Sequence, residues 1–180
     1  PGITIELSQR GFGTGAELRQ PLFNAVLADD AVPSRVLVRL VTDPSQRPAW
    51  EIFVNARGER FVREDEPTFD AKEKALKRQP QERCWVVLDE AIRQAMPTPP
   101  TRGWSKDEFV EAFGSFPLFY KADSLAALAA AAGIDAAGLA ASVADYNAGQ
   151  ALGRDRFGRQ HLPQPIAKPP FYAVEIVPAV

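Results

Sequence analysis

Hydrophobic and polar positions along the chain fall into short strand-like runs in the first half and helical spacing in the second. Ile3-Thr4-Ile5-Glu6-Leu7 alternates as a strand does, and residues 35–41 are rich in the β-branched residues that strands favour. Between them lies the flexible break Gly11-Phe12-Gly13-Thr14-Gly15. Leu18, Leu22, Phe23, Val26 and Leu27 then have helical spacing that Pro21 interrupts. Residues 50–55 and Arg60-Phe61-Val62 read as two strands of a hairpin. Their connection, Asn55-Ala56-Arg57-Gly58-Glu59, offers Gly58 for a positive φ. Residues 84–89 form a continuous apolar run, as in a strand buried on both faces, and residues 171–177 close the chain as a last strand.

Helices are marked by their ends. Residues 71–78 are a charged helix that Pro80 stops, and residues 90–96 form a turn or two closed by Pro97. Ser105 caps a helix over 106–113, with Glu108 completing a capping box. Asp123 is read as the cap of an alanine-rich helix over 124–132. Gly133 is its left-handed stop, with Ile134 as the hydrophobic contact behind it. Asp135 caps a second helix, 136 to about 148, with Leu139, Val143 and Tyr146 on one face. Strands and helices mix without regular βαβ alternation. The pattern predicts an α+β fold, a small mixed sheet with hairpins and several short helices, including a helical hairpin.

Length and composition narrow the function classes. At 180 residues, 46% hydrophobic and 24% charged, the chain is about one ordinary globular domain. A net charge of −2 gives no general attraction to phosphates, which disfavours nucleic acid. No apolar run reaches the ~18 residues of a membrane span. A single cysteine, Cys84, excludes an internal disulfide and suits a reducing cytoplasm, and a single histidine, His161, argues against a Cys/His zinc site. The 16 prolines exceed the ~5% average and predict many loops and abrupt element ends.

Taken by themselves, the chemical candidates are modest. Gly11 to Gly15 departs from a dinucleotide loop because its third glycine comes one residue early. His161 lies in a proline-flanked loop and reads as a surface or packing residue. Cys84 reads as an inert buried thiol. Arg93 follows a buried strand by one helical turn, where a guanidinium can be presented to a carboxylate, although pairing with Asp89 or Glu90 explains it as well. Glu64 is by default one of a solvated acidic run, Glu64-Asp65-Glu66.

An ordered set of segments nevertheless resembles the flavoprotein subunits of fumarate reductase and succinate dehydrogenase and their FAD-dependent relatives. The set begins with Ile52-Phe-Val-Asn-Ala-Arg-Gly-Glu-Arg-Phe-Val-Arg-Glu64 and Trp85-Val-Val-Leu-Asp-Glu-Ala-Ile-Arg93. It continues with Lys121-Ala-Asp-Ser-Leu-Ala-Ala-Leu, with 133–147, with Gly153-Arg-Asp-Arg-Phe-Gly158 and with 165–178. The resemblance covers 50–180 as a capping-domain-like region, and leaves 1–49 as an unassigned N-terminal segment of the same domain.

What this implies is a domain that closes over the flavin and a carboxylate or ketone substrate. FAD would belong to the parent protein, and its FAD-binding domain, expected outside this chain, would be the partner in the same polypeptide. Arg93 would then be the proton-transferring arginine and Glu64 the glutamate on its proton path. The surface that meets the flavin domain would be apolar enough for self-association. Where the fumarate reductases carry an arginine soon after the glutamate, this chain has Phe69. A fumarate reductase and a related tricarboxylate or ketosteroid-type dehydrogenase therefore remain open together. A free-standing binding or interaction module without catalytic activity is the alternative.

Overall fold

The computed structural model describes residues 4–8, 37–41 and 45–176. Gly11 to Gly15, the interrupted helix around Pro21 and the end of the last strand lie outside the described residues. Strands β1 (Thr4–Ser8) and β2 (Leu37–Val41) pair in parallel, with Thr4 opposite Leu37 and Ser8 opposite Val41. The main sheet is antiparallel. Its order is β3 (Ile52–Val54), β4 (Cys84–Asp89), β6 (Phe171–Ile176) and β5 (Phe119–Ala122). Every residue of β4 and of β6 is buried, as the apolar run of the former predicts for a central strand. The α+β class is therefore the observed one.

The hairpin forms, with one difference. Gly58 takes φ +71° in the turn, and the Gly58 amide donates to the Asn55 carbonyl at 2.8 Å. The returning arm is a single bridge, Val54 to Arg60, and not a third strand. The Arg60 amide donates to the Ser142 hydroxyl at 3.2 Å, and its guanidinium turns inward to acidic partners, so the chain leaves the ladder there.

Among the described residues five α-helices follow: α1 (Phe69–Lys77), α2 (Glu90–Ala95), α3 (Lys106–Ser115), α4 (Leu125–Ala132) and α5 (Ala136–Ala151). The Ser105–Glu108 capping box is complete in both directions. The cap of α4 is Ser124, whose hydroxyl accepts from the Ala127 amide at 3.1 Å. Asp123 sits one residue too early for that role. Gly133 is left-handed at φ +71°, Ile134 is buried behind it, and Asp135 caps α5. Leu139, Val143 and Tyr146 point into the core beside Leu128, Ala129 and Ala132 of α4. Each large side chain buried in this way contributes about 1.5–3 kcal/mol.

The junction from β4 to α2 fixes the candidate site. Asp89, fully buried, caps α2 by accepting from the Ile92 amide at 2.8 Å. Its other oxygen accepts from the Ala167 and Lys168 amides, each at 2.7 Å. One carboxylate thus ties the first turn of α2 to the strand it leaves and to the loop entering β6.

Candidate functional site

Arg93 projects from α2 one turn past β4, on the element pinned by Asp89. Its guanidinium is held edge-on by Glu90: Nε donates to Oε2 at 2.6 Å and Nη2 to Oε1 at 2.5 Å. Glu90 is loaded further. The Tyr172 hydroxyl donates to Oε2 at 2.7 Å and Gln94 Nε2 to Oε1 at 2.7 Å. Hydrogen bonding from Arg93 is the main reason the Glu90 carboxyl is held down at about 2. Burial and then Glu90 push the Tyr172 phenol up to about 12. Glu90 in turn raises Arg93 above the ordinary arginine value. Arg93 and Glu90 remain about one-fifth exposed, at 19% and 21%. The Tyr172 hydroxyl also interacts with Arg93 directly, so the guanidinium is held by both Glu90 and Tyr172 while about one-fifth of its side chain reaches solvent.

Glu64 lies elsewhere. The acidic run is not solvated: the Glu64 side chain is wholly buried and Asp65 is 7% exposed. Glu64 Oε1 accepts from the Phe53 amide at 3.2 Å and from Arg60 Nε at 2.8 Å. Oε2 accepts from Arg60 Nη2 at 2.7 Å and Arg159 Nη1 at 3.3 Å. Arg60 also donates to Asp155 at 2.6 Å, and its guanidinium lies 5.4 Å from the ring centre of Tyr146 and 5.0 Å from that of Phe157. Burial disfavours charge on Asp155, but Arg60 outweighs it and holds the carboxyl below its usual range. Two guanidiniums drew these carboxylates inside, because a buried charge is tolerated only when paired and hydrogen-bonded. Among the described residues, no hydrogen bond or ion pair joins Glu64 to Arg93.

The remaining candidates behave as their neighbourhoods dictate. Cys84 is buried, and desolvation pushes its thiol well up, so it is inert. His161 packs edge-on against Trp50 at 5.5 Å, and burial, with the charge of Arg159, lowers its pKa. Phe69 opens α1, and its side chain is outside the described residues. The signal that would have exposed Arg159, Asp155 and Tyr172 is absent from local sequence. Each acts across dozens of residues, as in the 82 that separate Tyr172 from Glu90.

A flavin dinucleotide needs free amides at a helix start for its phosphates. Here Ser105, Ser124 and Asp135 occupy those positions on α3, α4 and α5 with their own oxygens. The starts of α3, α4 and α5 are thus closed by their own caps, whereas Thr68 at the start of α1 makes no side-chain cap bond.

The family model for the FAD binding domain matches residues 24–180. The chain belongs to this flavoprotein family. The match takes in 24–49, which the sequence motifs left unassigned. A probable fumarate reductase of Shewanella frigidimarina is 29% identical over 79% of this chain and 22% of its own length. Among solved structures, the open conformation of a flavocytochrome c3 fumarate reductase matches at a TM-score of 0.62. It is 29% identical over 80% of this chain and 23% of that one. The 3-ketosteroid delta1-dehydrogenase of Sterolibacterium denitrificans matches at 0.58, with 25% identity over 71% of this chain and 26% of its own. The chain thus spans less than a quarter of the length of the curated relative. FAD is the cofactor of the family, and among the described residues no helix is long and apolar enough to cross a membrane.

Proposed function

We propose that this chain is the substrate-capping part of a cytoplasmic FAD-dependent oxidoreductase acting on a carbon–carbon bond next to a carboxylate or ketone. Its partner is the FAD-bearing remainder of the same polypeptide. Arg93 transfers the proton, and Glu64 is the carboxylate on the proton's path. The flavin supplies the hydride chemistry. The chain's own share is to cover the substrate, exclude water and hold a proton donor at one place.

The observation that carries this reading is the presentation of Arg93: a guanidinium clamped along one edge by Glu90 on the strand–helix junction pinned by Asp89, and still about one-fifth exposed. An arginine is a poor acid in water because its pKa exceeds 12. It becomes a reasonable one only against a developing carbanion in a site closed to solvent, which gives closure by a cap its purpose. Self-association of the chain would use the face that meets the flavin domain. Among the described residues the one well-exposed large apolar side chain is Leu152, at 68%.

The test is Arg93→Ala in the intact flavoprotein. Turnover should fall by about 100- to 10,000-fold, as for loss of a general acid, while the flavin absorbance spectrum stays unchanged. Turnover equal to that of the parent removes Arg93 from the chemistry.

A further inference from the structure

Arg93 has three side chains around it whose connectivity assigns roles beyond its own. Glu90 takes the Nε–Nη2 edge of the guanidinium with both carboxylate oxygens, the forked geometry that fixes a guanidinium in orientation as well as in place. Glu90 is not free to turn, because Tyr172 donates to Oε2 and Gln94 to Oε1. The Glu90 backbone is also tied down, its amide donating to the Lys168 carbonyl at 3.1 Å. Tyr172 also interacts with Arg93 directly. It sits in the central strand β6 opposite Leu88 of β4 and Lys121 of β5, is 2% exposed, and meets the Phe113 ring edge-on at 4.8 Å.

We infer that Tyr172 and Glu90 are positioning residues for Arg93: the tyrosine anchors the carboxylate to the sheet, and the carboxylate fixes the orientation of the guanidinium. This rests on the reading of Arg93 as the proton-transferring group and gives that reading its geometry. The anchoring is specific to the hydroxyl. Phenylalanine at 172 would keep the packing and lose the bond. Glu64 cannot serve this purpose as it stands, since four donors from Phe53, Arg60 and Arg159 occupy its oxygens. Gln94 is more exposed and on the same short helix, so it steadies Glu90 without connecting it to the core.

The experiment has two arms. In the 180-residue chain, the Arg93 Nε–H resonance should be resolved and slow to exchange with solvent. It should lose that protection in Glu90→Gln and weaken in Tyr172→Phe, with the melting temperature of either variant moved by only a few degrees. In the holo-flavoprotein, assayed with fumarate, a tricarboxylate and a 3-ketosteroid as probes, Glu90→Gln should lower kcat roughly 100-fold with KM little changed, the signature of a misplaced reacting group. Tyr172→Phe should lower it in the same sense by less. If Glu90→Gln keeps the parent kcat while Arg93→Ala abolishes turnover, the positioning pair is wrong and Arg93 keeps its role. If Arg93→Ala keeps turnover, or the parent enzyme acts on none of the probes, the underlying reading falls and the pair falls with it. A Glu90→Gln variant that retains the protected Arg93 resonance also overturns the inference, whatever its turnover.

Discussion

Replacing Glu64 by glutamine keeps its outline and removes the charge that two buried guanidiniums share. Arg60 and Arg159 have side chains 1% and 0% exposed, so neither can recover water as its partner. Loss of one member of such a cluster costs about 3–5 kcal/mol, and urea unfolding of the 180-residue chain should show Glu64→Gln destabilised by that order. Arg93→Ala removes a pair that still reaches solvent, at 19% and 21% exposure, and should cost less than the Glu64 change. A Glu64 variant as stable as the parent would sink this account. The contrast also sets how activity is to be read: loss of turnover in a Glu64 variant speaks to the proton path only if its stability has been measured beside it. The pairing of Arg93 with Glu90 was legible in the sequence, because three residues apart on a helix is a contact distance. The burial of Glu64 was not. One of its four donors is Arg159, 95 positions away, and three acids in a row look solvated until such a donor is placed beside them.

Among the elements, the hairpin turn and the start of α5 meet backbone to backbone. The Asp135 amide donates to the Ala56 carbonyl at 2.9 Å, and two glycines let the backbones meet. A Cβ on Gly138 would lie 1.8 Å from the Arg57 carbonyl oxygen, and one on Gly58 would lie 2.2 Å from the Leu139 amide nitrogen. Glycine to alanine inside a helix ordinarily stabilises by up to about 1 kcal/mol. Here the sign should reverse. Gly138→Ala forces two backbones apart and should destabilise by about 1–3 kcal/mol or more, read from thermal or urea unfolding; a Gly138→Ala chain more stable than the parent would show that the turn does not dock as described. Sequence located both partners of this contact, the hairpin and the capped helix, because turn glycines and capping side chains act within a few residues. It gave no sign that they touch. Strand β5 was likewise hidden: four residues containing Lys121, entered through Leu118 at φ +70°, carry too little pattern to stand out, and exist as a strand because β6 supplies the partner.

At the scale of the whole molecule, charges bring together two segments far apart in the chain. Residues 47–65 meet residues 155–161 through Arg60 with Asp155, Arg159 with Glu64, and Asp65 accepting from the Gln160 and His161 amides at 2.7 and 3.0 Å. Burial opposes the charge on Glu51, Asp65 and Asp155, yet Arg47, Arg63 and Arg60 overcome it, and all three carboxyls are lowered. A carboxyl lowered on folding adds stability above its unfolded pKa of about 4, and that contribution disappears as the pH falls through the folded value. His161 works over a higher range. Burial and Arg159 lower it, so the fold favours neutral imidazole, and its contribution is complete above an unfolded pKa of about 6.5 and declines below it. Both terms have the same sign, so stability should fall from pH 7 to pH 5 through the histidine and more steeply below pH 4 through the carboxyls. Urea unfolding of the 180-residue chain at a series of pH values separates them: His161→Asn should flatten the shallow upper part and leave the acid limb in place. A parent chain equally stable from pH 7 down to pH 3 would mean that these carboxylates are not paired in the folded molecule, and the joint between the two segments would need another explanation.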